Sequence, residues 1–110
     1  MKFHKFWRFK MIVVMNKFNI KNEFVDEFIE RWKNRNSYLS SVDGFVEFHL
    51  LKASPETNYC VVSSFVKWQN FKSFENWTKS NEFKKAHANA GETAHMHFKN
   101  ANLEIYEVVI

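Results

Sequence analysis

The pattern of apolar and polar positions switches between two periods along the chain. The run MIVVMNKFNI, residues 11–20, is rich in β-branched and apolar residues and predicts a strand. Alternation places Val14, Asn16, Phe18 and Ile20 on one of its faces. Asn16 is the polar interruption of that row. An amide among buried positions needs hydrogen-bond partners, or it faces a cavity that holds something polar. In NEFVDEFIERWKNRNSYL, Phe24, Val25, Phe28, Ile29 and Trp32 recur at the spacing of one helix face. Asn22 is the candidate cap, acids occupy the first turn, and Lys33 and Arg35 complement the dipole in the last. SSVDG then predicts a turn punctuated by Gly44.

Two further strands follow, FVEFHLLKA (45–53) and YCVVSSFVKW (59–68). SPETN between them is turn chemistry, so the pair predicts an antiparallel hairpin. After Trp68 the helical period returns. Phe71, Phe74 and Trp77 mark a short helix. Ser80 is a fresh N-cap, with Glu82 just inside the next helix. Phe83, Ala86, His87 and Ala90 fall at i, i+3, i+4 and i+7, and Gly91 is the expected terminator. GETAHMHFKNA (91–101) has no period and reads as a loop, and NLEIYEVVI as a last strand.

The order β-α-β-β-α-β predicts an α+β, ferredoxin-like fold, one antiparallel sheet with helices on one side. The last strand is apolar on both faces: Leu103, Ile105 and Val109 on one, Tyr106, Val108 and Ile110 on the other. A second apolar face does not belong in water. The expectation is a homodimer that packs two sheets face to face as a dimeric α/β barrel. The alternative is a monomer whose second face is covered by 91–101.

Composition sharpens this. A chain of 110 residues favours one domain with its own core. Aromatics are 18% of it, including 13 Phe, enough ring surface for a core and a pocket wall together. The net charge of +4 sits in MKFHKFWRFK; removing those four of the 16 basic residues leaves 12 against 12 acidic ones. A body without net charge is no nucleic-acid footprint. Residues 1–10 are read as a basic aromatic extension to a single domain, 11–110. Phe3, Phe6 and Trp7 also suit a short interfacial helix, but membrane contact is not expected, and no stretch is long and apolar enough to span a bilayer. The lone Cys60 lies in an apolar run, as a buried strand thiol, which fits a reducing, cytoplasmic compartment.

Chemistry concentrates in FENWTKSNEFKKAH, residues 74–87. A lone His on an apolar helix face is most often simply packed, and Trp77 completes the Phe71–Phe74 stripe. However, Ala86, Ala88, Ala90 and Gly91 leave room beside His87 for a flat ligand, and a neutral imidazole there can bind haem iron. The break at Ser80 lets two short helices meet at an angle, so that Trp77 and His87 can face one cleft. HMH at 95–97 offers a rival, a three-His metal site completed by His87. His49 is expected to pack in its strand.

FENWTKSNEFKKAH resembles the signature Phe-x-x-Trp-x-x-Ser-x-x-Phe-Lys-x-Ala-His of haem-degrading monooxygenases in the antibiotic biosynthesis monooxygenase family. VMNKF resembles its first-strand asparagine motif and ERWKNR its Glu-Arg-aromatic-x-x-Arg. GFVEFHLLK resembles its second strand, and KWQNFKSF the start of its second helix. The likeness covers about 11–110. It implies His87 as the axial ligand of haem iron, Asn16 hydrogen-bonding on the distal side toward bound dioxygen, and Trp77 pressing on the porphyrin. Trp32, at a position often held by Phe, Phe74 and Phe83 would complete the haem-binding set. It further implies homodimers and oxidative opening of the porphyrin with dioxygen and an external electron donor, a reductase or small reductant, with release of iron. Two alternatives stay open: a cofactor-independent oxygenase of the same family acting on an aromatic or polyketide-like substrate, and a haem-binding or sensing dimer without turnover.

Overall fold

The structure, a computed structural model, describes residues 10–35 and 37–110. The reading of 1–10 as an extension therefore lies, apart from Lys10, outside the described residues. Four strands form one antiparallel sheet: β1 (Ile12–Lys21), β2 (Phe45–Lys52), β3 (Tyr59–Trp68) and β4 (His97–Glu107), in spatial order β2-β3-β1-β4. Helices α1 (Val25–Asn34), α2 (Phe71–Thr78) and α3 (Asn81–Ala86) complete the ferredoxin-like frame. No helix among the described residues is long and apolar enough to cross a membrane.

Strand alternation sorts the core. Ile12, Val14 and Ile20 of β1 and Cys60, Val62 and Trp68 of β3 are buried on the helix-facing side. Two clusters lie over it. One gathers Ile12, Val14, Leu39 and Trp68 under Phe71, Phe74 and Trp77 of α2. The other gathers Ile20, Cys60, Val62 and Met96 under Val25 and Phe28 of α1. Cys60 is a fully buried thiol, as expected. On the other face, cross-strand register aligns Val13 with Tyr106, Met15 with Phe65, and Leu51 with Ser63. Leu51 and Tyr106 there are more than 40% exposed. His49 also lies on that face, exposed, against Glu47 and the Phe65 ring, so it is not a packed core histidine.

Three expectations about element ends are corrected. Asn22 does not cap α1. Its amide donates to the carbonyls of Glu56 and Thr57 in the β2–β3 turn, and a 3-10 turn, Asn22–Phe24, precedes the helix. The tertiary partner outcompetes the local one. α3 does not run to Ala90 with Gly91 as its stop. It ends at Ala86, where the chain tightens into i→i+3 bonds, Ala88 to Lys85 and Ala90 to His87. Residues 91–101 are not a loop. A 3-10 turn, Ala90–Met96, is pinned by the buried Met96, and β4 starts at His97. Two register shifts opposite Asn19 let β4 stay paired with β1. The buried Asn19 amide donates to the Asn100 carbonyl at 3.0 Å and satisfies the bulged backbone. These residues pair as an edge strand and do not fold over the second sheet face, so the covered-monomer alternative loses its lid. Asn70 and Ser80 cap α2 and α3, accepting from the N–H groups of Ser73 and Phe83.

Candidate active site

Between the two clusters lies a cavity of about 800 Å³, in the upper part of the range of ligand pockets. β1 and β3 supply its floor, α1 one wall, and the end of α3 with the following 3-10 turn the other. Asn16 and Ser64 are cross-strand partners on the floor. The Asn16 carboxamide has no hydrogen-bond partner among the described residues. Of the two options left by the sequence, it takes the cavity.

Ser80 positions the far wall. Its hydroxyl accepts from the Phe83 N–H at 3.1 Å and donates to the Trp77 carbonyl at 2.7 Å, which fixes the break between α2 and α3. His87, the first residue beyond α3, lines the cavity. Its Nδ1 lies 2.7 Å from the Phe83 carbonyl oxygen, which only accepts, so Nδ1 carries the proton. Its ring stacks on Phe83 at 4.0 Å. Burial lowers the His87 pKa, opposed by the bond to Phe83 and assisted by the positive charge of Arg35. The result is a neutral imidazole with its Nε2 lone pair unused, the form that binds a metal.

The α1 wall carries Trp32, stacked on Phe48 at 5.9 Å and tilted toward Phe18. Arg35 lies over the Trp32 ring at 4.2 Å. Its Nε is buried without a hydrogen-bond partner, it forms no ion pair among the described residues, and burial lowers its pKa. An arginine stays charged under such a shift, so it is a half-buried cation held on the Trp32 ring without an acidic partner among the described residues. Arg31, by contrast, is paired with Glu92 of the 3-10 turn at 2.9 Å.

The structure thus brings Asn16, Trp32 and His87 to one cavity. Trp77 and Phe74 are not among its lining residues. Trp77 is 6% exposed and packs on Trp68, Phe83 and His87, and Phe74 lies between Phe71 and Trp68. Trp77 supports the His87–Phe83 stack directly, while Phe74 lies one ring further into the core. Phe83 likewise backs the imidazole. The three-His rival fails: no group of three or more His, Cys, Asp or Glu among the described residues could hold a metal ion. His95 turns to the edge of Phe24, and only His97 joins His87 at the cavity.

Sequence reasoning missed Ser64, Arg35 and Tyr38 as cavity residues, and weighed His97 beside His87 only as a metal ligand. The paired serines in VVSSFV were a signal for the first. Tyr38 stands in left-handed backbone, φ 62°, with its carbonyl accepting from the Ser41 hydroxyl.

The sequence profile of the family described as antibiotic biosynthesis monooxygenase matches residues 11–89. The chain belongs to that family. A heme-degrading monooxygenase of Listeria welshimeri is 30% identical over 90 residues, covering 76% of this chain and 74% of that protein. Two solved structures share the family fold. One is MhuD, a heme-degrader of Mycobacterium tuberculosis with two hemes bound in its active site. It aligns with TM-score 0.67 and 23% identity over 90% of this chain and 96% of its own. The other is SnoaB, a cofactor-independent oxygenase from Streptomyces nogalater. It aligns with TM-score 0.68 and 14% identity over 92% and 95%.

Proposed function

We propose that this family member is a haem-degrading monooxygenase, taking haem into the cavity and opening the porphyrin ring with dioxygen and electrons from an external donor, with release of iron. The observation that carries the reading is His87, a neutral imidazole whose Nδ1–H is committed to the Phe83 carbonyl and whose Nε2 is free at the cavity. The residues present fit a haem. A flat macrocycle suits the space between the Trp32 wall and the His87 wall, and the unpaired Arg35 suits a propionate. Bound haem supplies iron for dioxygen activation and is itself the molecule oxidised.

The chain's own part is to bind, orient and exclude. His87 Nε2 would hold the iron. Asn16 and Ser64 place an amide and a hydroxyl on the floor, where preorganised dipoles stabilise developing negative charge. Phe18, Phe28 and Trp32 keep bulk water from that end. The homodimer is part of the proposal: the second sheet face, with Val13, Met15, Phe65, Leu51 and Tyr106, suits a second copy.

Titrating the purified protein with haemin tests this. A Soret band should grow to saturation, and ascorbate or a reductase in air should then bleach it. His87→Ala should lose the band. A saturated spectrum that survives reductant and air would leave a haem-binding dimer. Absence of any band in the wild type would leave the cofactor-independent oxygenase, a reading favoured by Trp77 lying outside the cavity wall.

A further inference from the structure

His97 is the cavity residue that the haem reading leaves unused. It opens β4, opposite Ile20 of β1, and so faces the helix side of the sheet. Its ring meets the edges of Phe18 at 6.0 Å and Phe28 at 5.8 Å, both cavity-lining. These rings belong to the α1 cluster, whereas His87 leans on Phe83 beside the α2 cluster. The two imidazoles therefore line the cavity from different walls.

The Thr93 hydroxyl donates to the Ala90 carbonyl at 3.1 Å, and His97 Nε2 lies 3.5 Å from the same hydroxyl oxygen, a long contact. With that hydroxyl committed to Ala90, the contact favours the tautomer with its proton on Nε2 and a lone pair on Nδ1. Burial lowers the His97 pKa, consistent with a neutral ring. The apolar end of the cavity thus holds a neutral hydrogen-bond acceptor between two phenylalanines.

Closed, metal-bearing porphyrin has nothing to give such an acceptor, because its four nitrogens are spent on the metal. A ring-opened, metal-free tetrapyrrole carries free pyrrole and lactam N–H groups. We propose that His97 is a specificity-determining residue that recognises the linear tetrapyrrole, its Nδ1 accepting a hydrogen bond from an N–H group of the opened ring. This rests on the haem-degrading reading. It gives the cavity two imidazoles with separate tasks, His87 toward iron and His97 toward the ring once iron has gone.

The test compares two ligands on the wild type, His97→Phe and His97→Gln, each checked for a thermal transition near that of the wild type. Phe keeps a ring against Phe18 and Phe28 but removes the acceptor, and Gln restores one. Biliverdin, followed by tryptophan quenching, should bind His97→Phe about tenfold more weakly, the usual size of one lost hydrogen bond, and His97→Gln nearly as the wild type does. Haemin affinity should stay within about twofold throughout. Equal losses for both ligands, or none for biliverdin, would overturn the inference. Should His97→Phe fail to fold, ¹⁵N correlation spectra of the wild type decide. Biliverdin must shift the His97 Nδ1 resonance, and no shift refutes the contact. Failure of haemin to bind the wild type would instead sink the haem reading itself.

Discussion

His87 Nδ1 and the carbonyl oxygen of Phe83 are 2.7 Å apart, and the backbone N–H of His87 reaches the same oxygen at 3.1 Å. One carbonyl, left over at the end of α3, therefore fixes both the course of the chain and the tautomer of the imidazole. This is the arrangement that makes an imidazole a directed ligand, because the proton sits on the nitrogen facing away from the cavity.

His87→Ala should abolish the haemin Soret band, and added imidazole should restore it by filling the space left beside Phe83. Stability should fall by about 0.5–1.5 kcal/mol, the scale of the lost hydrogen bond to Phe83. Parallel titrations and thermal melts check both. A band that persists in the alanine variant without imidazole would place the iron ligand elsewhere.

Asn16 should separate stability from function. Its carboxamide has no partner among the described residues, so Asn16→Leu should leave stability unchanged or raise it by up to about 1 kcal/mol. Turnover of bound haem should fall by about 10- to 100-fold, the scale of losing one preorganised donor. Urea denaturation and single-turnover bleaching measure the two effects. An Asn16→Leu protein that unfolds early would mean that the amide is structural.

Arg35→Ala should weaken haemin about tenfold, one charge-assisted contact, while binding of haemin dimethyl ester stays nearly constant. The folded chain should lose little, because a half-buried cation without an acidic partner goes with it. Comparing the two ligands by Soret titration checks the charge pairing directly.

The frame of the fold was legible because 11–20, 45–53 and 59–68 are apolar, β-branched runs set off by turn residues, and because 24–32 carries a 3.6-residue stripe. Asn16 stood out for the same reason, as a break in a regular row. Asn22 and residues 91–101 were not legible. The partners of Asn22 lie 34 and 35 residues away, and β4 acquires its start from bulges opposite Asn19, where pairing depends on a buried amide and not on alternation. Arg35 was hidden similarly, since its place at the cavity follows from where α1 ends. Trp77 was legible as the end of the Phe71–Phe74 stripe, and it lies in that core beneath His87.

Gly44 is the chain's clearest backbone constraint. Its φ is +83°, and a β-carbon there would overlap the side chain of Ser73 at the start of α2. Its carbonyl also accepts from the Gln69 N–H at 2.8 Å, tying the turn before β2 to the end of β3. Gly44→Ala should therefore cost about 2–4 kcal/mol, left-handed strain plus overpacking. Gly44→Ala combined with Ser73→Gly should recover the overpacking part only. A fully recovered double variant in urea melts would show that the backbone conformation itself carries no strain.

The pH profile of stability follows from the cavity. Burial depresses the pKa of His97 below its ordinary value of 6.5, and that of His87 likewise. Above 6.5 both states of each ring are neutral and the histidines add no slope. As pH falls through 6.5 the unfolded chain takes up protons that the folded chain does not, so stability is lost until the folded pKa values are passed. Glu47, Glu75 and Glu104, held below the ordinary 4.5 by their hydrogen-bonded partners, act in a separate window: their contribution is present above 4.5 and is lost below it. Urea melts from pH 8 to 3 should therefore show a decline between pH 7 and 5 that His97→Phe reduces, while the further decline below pH 4.5 stays unchanged in the variant. Identical slopes in wild type and His97→Phe between pH 7 and 5 would show that the His97 ring is as well solvated folded as unfolded, and that the inner end of the cavity is open to water.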